Sequence, residues 1–476
     1  MKYYRFLSVL LLIMIVSSIA GCMSGGDDET NTDTQAPTTT MPVTTQPPTA
    51  APSTAAPTTA SPTTAAPTTS APPMVHNECS KGYINFDEGN CRYYPCDSPD
   101  DPIEVWQTDI LMTEGPVLVD YERAYLFQSN YGDYEVKCYN VHTGEEYWTI
   151  NTPFMALNDV ILKDGKIYMF QLDQPILHCY DAEDGSLIWS SQNIMELYPE
   201  KYDIDLINMS YSDGKILALM LPFEDVADWG GSIICCFNGT TGQLIWNYTS
   251  ENDIRSYPAI GNGNAYYSVY HHDMFYGYSG QTAQGFIGVN IGNGNIVLNS
   301  LREEYSYNTR DLVFSNGCIY ALVDRLDYRP YDDTNWDHYY PNMYLICFST
   351  SGDILWEEQL ADQTWGNIII GNDRIYLSRN DQITCFDQNT HEELWSRQWD
   401  RTIDISRNDG SLVTKDKLII FFSSIGTTPQ VVAINTDNGE DIWSLDLEGM
   451  QISTAAAFYD NLMLVATDLG HLYCFG

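Results

Sequence analysis

The sequence predicts an all-β protein, an eight-bladed β-propeller in which each blade contains four antiparallel strands. A hairpin motif recurs seven times, with a small residue near the end of one strand and an apolar residue, usually Trp, in the next. A second strand motif precedes each hairpin and recurs eight times. The eighth copy stops at Gly476 without a fourth strand, which residues 103–106 resemble. We therefore expect an N-terminal strand to pair with the C-terminal blade and to close the ring.

The clearest hairpin spans residues 179–189, where Cys179 and Trp189 stand ten positions apart and Gly185 lies in the turn. Glycine allows the tight connection that such a hairpin needs. The small position holds cysteine in most copies. Free cysteine packs as a small apolar side chain, and equivalent positions in different blades lie too far apart for a disulfide. We expect unpaired core residues at Cys138, Cys179, Cys236, Cys347, Cys385 and Cys474.

Three segments precede the propeller, which we place at residues 103–476. Residues 1–21 are typical of a lipoprotein signal peptide, with a basic start, an apolar run and Cys22 after Ile-Ala-Gly. We expect lipid on Cys22 and the remaining chain outside the cytoplasm; an uncleaved signal anchor is the alternative. Residues 22–75 contain the lipidated cysteine and a Thr/Pro/Ala-rich stalk that cannot bury a core and favours an extended, disordered chain.

The segment 76–102 is small and contains Cys79, Cys91 and Cys96. Close cysteines outside the cytoplasm usually form disulfides, although three leave one without a local partner. A zinc site that also uses His76 is the alternative. The sequence leaves the pairing of these cysteines open.

The formal net charge is −42, with 64 acidic and 22 basic residues. Such a surface repels phosphate backbones, so we expect no nucleic-acid partner. It is also typical of solubility or salt adaptation. We expect the protein to be monomeric.

The hairpin at residues 236–246, Cys-Phe-Asn-Gly-Thr-Thr-Gly-Gln-Leu-Ile-Trp, resembles the pyrroloquinoline-quinone (PQQ) repeat, and the resemblance covers about residues 103–476. In that family the Trp of each outer strand packs against the hairpin of a neighbouring blade. Leu298 replaces this Trp in one blade, which predicts a looser junction there. The resemblance implies a structural docking role for Trp106, Trp148, Trp189, Trp246, Trp356, Trp395 and Trp443.

The PQQ-repeat family contains quinoprotein dehydrogenases and non-enzymatic members. The lipid anchor, the eight compact blades and the lack of long catalytic insertions are closest to the eight-bladed lipoprotein branch. We therefore predict no catalytic, cofactor-binding or metal residues and expect a binding or scaffolding module on the cell surface. The alternative is an oxidoreductase that uses PQQ and calcium to oxidise an alcohol or a sugar.

The connections between the second and third strands are longest in the third, fourth and fifth blades. They should leave one propeller face and form a contiguous ridge in which aromatic side chains alternate with carboxylates. Such composition suits recognition of a surface protein, a secreted protein or a glycan, although the aromatics could instead pack their own loops. The candidate ridge comprises Phe223, Trp229, His271, His272, Tyr276, Tyr331, Asp333, Trp336 and Tyr339.

Overall fold

The computed structural model shows an eight-bladed β-propeller of four-stranded antiparallel blades, which confirms the predicted fold class. Its first strands contact one another around the centre. No helix among the described residues is long and apolar enough to cross a membrane. The structure describes residues 92–94, 96–111, 113, 115–120, 122–130, 133–156, 159–198, 203–225, 228–229, 231–250, 253–254, 256–270, 285–300, 307–325, 342–360, 366–403, 411–422, 429–447, 456–467 and 470–476.

The strands follow the repeat along the chain. Strand β1 is Glu104–Asp109. Blade 1 contains β2 (Leu118–Asp120), β3 (Arg123–Asn130), β4 (Asp133–Asn140) and β5 (Glu146–Thr152). Blade 2 contains β6 (Ile161–Lys163), β7 (Lys166–Gln171), β8 (Ile176–Asp181) and β9 (Leu187–Ser190), followed by a 3-10 helix at Ile194–Glu196. Blade 3 contains β10 (Asp203–Ser212), β11 (Lys215–Asp225), a short β12 (Asp228–Trp229), β13 (Ser232–Asn238) and β14 (Leu244–Ser250).

The second half repeats the same order. Blade 4 contains β15 (Asp253–Ile254), β16 (Ala259–Gly261), β17 (Asn264–Tyr270), β18 (Gly285–Asn290) and β19 (Ile296–Asn299). Blade 5 contains β20 (Tyr307–Ser315), β21 (Cys318–Arg325), β22 (Asn342–Ser349) and β23 (Ile354–Gln359). Blade 6 contains β24 (Gly366–Gly371), β25 (Arg374–Arg379), β26 (Gln382–Asp387) and β27 (Glu393–Gln398). Blade 7 contains β28 (Ser411–Val413), β29 (Lys417–Phe422), β30 (Gln430–Asn435) and β31 (Asp441–Asp446). Blade 8 contains β32 (Ala457–Tyr459), β33 (Leu462–Thr467) and β34 (His471–Phe475).

Blade 8 is completed by the other end of the propeller sequence. Strand β1 pairs antiparallel with β34, so that Trp106 lies opposite Cys474. Ile103 N donates to Gly476 O at 3.1 Å, and Gly476 N donates to Ile103 O at 3.0 Å. These bonds cover an edge that would otherwise be open to other chains. The predicted ring closure is confirmed.

The hydrophobic core is divided among the interfaces between neighbouring blades. One cluster joins blades 2 and 3, and the next joins blades 3 and 4. An equivalent cluster lies at each of the six remaining junctions. Each sheet is therefore buried on both faces, which explains why middle strands such as β29 and β33 are apolar without alternation. Among the described strands, no sheet hydrogen bonds link one blade to the next. Packing between the sheets therefore holds neighbouring blades together.

The end of the segment placed at residues 76–102 packs directly on the propeller. Tyr93 forms a parallel bridge with Val413 in β28. Tyr94 and Cys96 are buried in the core cluster between blades 7 and 8, where the Tyr94 ring meets Phe458 edge to face. Cys22, Cys79 and Cys91 lie outside the described residues.

Candidate functional site

The strand order places the second-to-third connections of all blades on one face. In an antiparallel blade these connections and the links between blades leave at one edge, whereas the other two turns leave at the opposite edge. In blade 3, β10 and β11 have 10 and 11 residues and extend at that first edge, where Asp203 pairs with Phe223. In blade 5, Tyr307 pairs with Arg325 at the equivalent edge. Blades 3 and 5 therefore project on the face that carries the long connections.

Two residues of the candidate ridge lie in described strands. Phe223 in β11 pairs with Trp229 in β12, so the connection of blade 3 begins as an added two-stranded ribbon. This ribbon was not predicted, because two paired residues give too short a pattern to recognise in the sequence. The other ridge residues, His271, His272, Tyr276, Tyr331, Asp333, Trp336 and Tyr339, lie outside the described residues.

The N-terminal segment adds a strand-like stretch at the central side of blade 7. Tyr94 N donates to Val413 O at 2.9 Å, and Val413 N donates to Arg92 O at 3.0 Å. Because β28 is the first strand of its blade, the segment passes on the side that faces the propeller axis. Sequence reasoning missed this contact, since these residues show no periodic pattern.

A buried ion pair joins this segment to the first strand of blade 5. Arg92 Nη1 lies 2.8 Å from Asp311 Oδ2 in blade 5 and donates to Ile368 O in blade 6 at 2.7 Å. Asp311 Oδ2 also accepts a hydrogen bond from Ile368 N at 2.7 Å. The two side chains are only 3% and 8% exposed. Each charge therefore has the partners that a buried ion requires, and the segment is fixed to three blades.

A second buried carboxyl lies near the start of blade 2. Tyr257 of blade 4 donates its hydroxyl to Asp159 Oδ1 at 2.9 Å. Burial raises the pKa of Asp159 from its usual value to about 7, although the bonds from Tyr257 and from the Met209 amide oppose the shift. The Asp159 carboxyl therefore keeps its proton at pH values well above those at which an aspartate usually loses it.

A polar chain in blade 2 includes serine and histidine but does not form a nucleophilic site. His178 Nδ1 lies 2.8 Å from Ser190 Oγ, and His178 Nε2 lies 2.9 Å from Gln171 Oε1. Burial lowers the pKa of His178. Both ring nitrogens are thus engaged within the blade. Blade 6 has a polar chain at the equivalent positions, where Thr384 and Ser396 are 3.2 Å apart, so the arrangement is part of sheet packing.

The described residues show no cluster of side chains typical of a metal centre. Within the part of the chain that the structure describes, no group of three His, Cys, Asp or Glu side chains could hold a metal ion. The central carboxylate of Asp311 is already paired with Arg92. In this arrangement the Asp311 carboxylate is engaged by Arg92 rather than open to a calcium ion.

The cysteines at the repeated position are buried thiols. Cys138, Cys179, Cys236, Cys385 and Cys474 are all shielded from solvent, and burial raises the pKa of each thiol to about 12. Cys347 is also buried and its pKa is raised to about 12, but the residue beside it is Cys318. A thiol that keeps its proton is a poor nucleophile and metal ligand.

The outer-strand tryptophans contact the hairpin turn of the following blade. Trp148 Nε1 donates to Glu183 O at 2.9 Å, and its ring lies against Gly185. A Cβ at Gly185 would come within 3.1 Å of that ring, and the left-handed backbone of this glycine, with φ of 74°, also disfavours other residues. The indoles of Trp106, Trp246 and Trp395 donate to backbone carbonyls in the same way. Trp189 lies against Gly242.

Three junctions depart from the tryptophan–glycine arrangement, and at one of them Trp443 Nε1 donates to Pro99 O of the N-terminal segment. Trp356 stacks on His391, with ring centroids 4.5 Å apart and an angle of 9° between the planes. At the Leu298 junction, Leu298 is only 7% exposed and Phe286 packs edge to face on Phe348 at 4.8 Å. Leu298 and this aromatic pair belong to the same core cluster between blades 4 and 5.

The fold is similar to that of solved propeller proteins. A quinohemoprotein alcohol dehydrogenase from Comamonas testosteroni is 13% identical, with a TM-score of 0.59 over 83% of this chain and 80% of that chain. A second quinohemoprotein alcohol dehydrogenase, ADHIIG from Pseudomonas putida HK5, is 11% identical, with a TM-score of 0.54 over 84% and 80%. The computationally designed Ika8 protein is 12% identical, with a TM-score of 0.51 over 80% and 99%. At these identities the likeness shows the fold alone.

A search of curated proteins finds no match to this sequence. The sequence does match the family model described as outer membrane protein assembly factor BamB, at residues 98–220 and 342–462. These two ranges together make up just over half of the chain and contain the repeated hairpins of blades 1, 2, 5, 6 and 7. The chain therefore belongs to the PQQ-repeat β-propeller family that this model represents.

Proposed function

We propose that the chain is a lipid-anchored cell-surface propeller that acts as a non-catalytic binding or scaffolding module for a protein or a glycan. The observation that carries this proposal is the unequal length of the second-to-third connections. Long connections occur in the consecutive blades 3, 4 and 5, and blades 3 and 5 extend their strands at the same edge. A module with one enlarged sector has a surface that the remaining blades lack.

The composition of this sector supports recognition rather than simple packing. Aromatic rings provide large contact areas with little loss of side-chain entropy, and neighbouring carboxylates orient a polar partner. The ridge contains several rings of this kind, including Tyr331, Trp336 and Tyr339, and carboxylates such as Asp333. A secreted protein or a glycan with exposed hydroxyl or amide groups offers matching chemistry.

The N-terminal sequence supports a location at the outer side of a membrane. Lipid on Cys22 would provide the membrane contact, and the stalk would hold the propeller at a distance. About 40 extended residues at ~3.1 Å each would reach roughly 120 Å. The formal net charge of −42 favours a soluble, dispersed head at that distance.

A site-specific cross-linking experiment tests this proposal. A photoreactive residue is placed at Tyr339 in the full-length protein on its native cells. A matched variant carries it at Leu355, which is 57% exposed on the outer strand of the same blade. We expect a discrete protein or glycan adduct from position 339 and none from position 355. Equal labelling at both positions would contradict a ridge-specific partner.

Alanine substitutions then separate recognition from packing. Replacing Trp336 and Tyr339 by Ala should reduce capture of the identified adduct partner by about 30-fold, as expected for loss of ~2 kcal/mol at an interface. The melting temperature should stay within about 2 °C of the parent, and Leu355→Ala should retain capture. A large fall in melting temperature with the double substitution would favour aromatics that pack their own loops.

The rival function has its own direct assay. Full-length protein is incubated with PQQ and calcium, and both cofactor absorbance and dye-linked oxidation of alcohols and sugars are measured. Saturable cofactor binding with turnover would replace the proposed function by a quinoprotein oxidoreductase.

A further inference from the structure

Blade 5 differs from blades 1, 2, 3 and 6 in the residue beside the repeated cysteine. In blades 1, 2, 3 and 6, the second strand begins with a basic residue that interacts with the buried thiol of the third strand. The pairs are Arg123 with Cys138, Lys166 with Cys179, Lys215 with Cys236 and Arg374 with Cys385. In blade 5 the basic residue is replaced by Cys318, beside Cys347. The substitution brings a second thiol to a site that holds a cation in those four blades.

The strand register places the two cysteines on the same side of the sheet. Tyr320 lies opposite Cys347, and Cys318 lies opposite Ser349. Side chains two positions apart in a strand point to the same side, so Cys318 and Cys347 are diagonal neighbours. Cys318 packs against the core cluster that contains Cys347, and the proximity of Cys318 is one of the causes that raise the pKa of the Cys347 thiol.

The two thiols differ in exposure. Cys347 is buried, whereas Cys318 follows directly after the Asn316–Gly317 turn and is partly exposed. A dissolved oxidant can therefore reach Cys318 first. Cys347 is then positioned as the resolving thiol.

We propose that Cys318 and Cys347 form a reversible disulfide that closes the blade 5 hairpin. A low-molecular-weight disulfide, RSSR, supplies the oxidant. The Cys318 sulfur attacks one sulfur of RSSR and releases one RSH. The Cys347 thiol then loses its proton and attacks the Cys318 sulfur, which releases the second RSH, so the two protein thiols lose two electrons and two protons to the reagent. Because this second step is intramolecular, a small fraction of Cys347 thiolate is sufficient.

This bond would act on the hairpin that carries one of the long connections. Strands β21 and β22 are joined at their far ends by residues 326–341. The disulfide would link the same strands at the opposite end and close a loop through the whole connection. It would restrict the unfolded chain and hold the two strands in register.

Peptide mapping of the full-length protein tests the proposal. The protein is treated with oxidised glutathione, quenched with an alkylating reagent and digested without reduction. We expect a linked Cys318–Cys347 peptide, its loss on treatment with dithiothreitol and a rise of about 5 °C in melting temperature on oxidation. Cys179, which has Lys166 in place of a second thiol, is the internal control and should remain alkylated.

Two variants sharpen this test. Cys347→Ser should trap Cys318 as a glutathione mixed disulfide, because the resolving thiol is removed. Lys166→Cys recreates the same diagonal pair in blade 2 and should yield a link between the introduced thiol and Cys179 under the same conditions. Separate modification of Cys318 and Cys347 in the parent protein, without a linked peptide, would overturn the proposal.

Discussion

The junction between blades 1 and 2 and the junction between blades 7 and 8 make the same contact with different parts of the chain. At the first, Trp148 Nε1 donates to Glu183 O at 2.9 Å, in the hairpin turn of blade 2. At the second, Trp443 Nε1 donates to Pro99 O at 2.7 Å. Trp148 and Trp443 are each 8% exposed. Blade 8 has no continuous turn between its third and fourth strands, and the N-terminal segment takes its place.

The comparison shows that the indole can donate to a carbonyl of a hairpin turn or to one of a separate segment. In blade 2 a local hairpin supplies the carbonyl. At the ring closure Pro99, which precedes β1, supplies it. Lys417, only 3% exposed, lies 2.9 Å from Asp100 and donates to Ser98 O at 3.2 Å, which fixes this substitute turn. Closure therefore depends on residues 92–100 as well as on the pairing of β1.

The largest expected effect comes from breaking the closed junction completely. Deleting residues 472–476 removes most of β34, so that β1 loses its partner and the cluster between blades 8 and 1 opens. We expect loss of cooperative unfolding, measured by circular dichroism, together with aggregation. Deleting residues 53–57 from the stalk removes an equal length and should leave the transition unchanged. A C-terminal deletion that melts like the parent would disprove the closure.

Removing the docking tryptophans compares the two junctions directly. Trp148→Ala and Trp443→Ala should each lower the free energy of unfolding by about 3–5 kcal/mol, because each leaves a large buried cavity. Only Trp443→Ala should also release the N-terminal segment. Lys415 N donates to Cys96 O at 3.0 Å, so hydrogen exchange at the Lys415 amide should become faster in that variant alone. An unchanged exchange rate at the Lys415 amide in Trp443→Ala would show that Trp443 does not hold the N-terminal segment in place.

The central ion pair tests how firmly the segment is held. Arg92→Met leaves the Asp311 carboxylate buried without its counter-charge, and we expect a loss of about 3 kcal/mol in chemical denaturation. Adding Asp311→Asn should recover most of the loss, because the amide oxygen can still accept the Ile368 N–H. Lys137→Met, at a partly exposed pair 3.9 Å from Glu135, should cost less than about 1 kcal/mol. A double variant no more stable than Arg92→Met would refute this account.

The last prediction concerns the buried carboxyl of Asp159, which is far from the ring closure in sequence. The unfolded chain releases this proton near its usual pKa, whereas the folded protein keeps it until the pH reaches the raised pKa of about 7. Folded-state stability from this group is therefore greatest at low pH and decreases as the pH rises from about 4 to 7. Asp159→Asn removes the titration but keeps an acceptor for Tyr257. The melting-temperature difference between parent and variant should change across this range; parallel curves would contradict the assignment.

Some features of the fold could be read from local sequence. The Gly185 turn and the spacing of Cys179 and Trp189 predict a hairpin because turn geometry restricts the residues that can occupy it. The missing final strand predicts closure because an open edge is unfavourable. The ribbon of Phe223 and Trp229 could not be predicted, since two paired residues leave no periodic signal.

The sequence by itself determined the eight repeats, their hairpins, the cysteine positions and the resemblance to the PQQ repeat, because these depend on local periodicity and turn chemistry. Only the tertiary structure decided that Arg92 reaches Asp311, that Pro99 receives the Trp443 indole and that Asp159 meets Tyr257. It also placed Cys318 beside Cys347. These contacts join residues that are distant along the chain, and their geometry is fixed only when the ring of blades closes around a common centre.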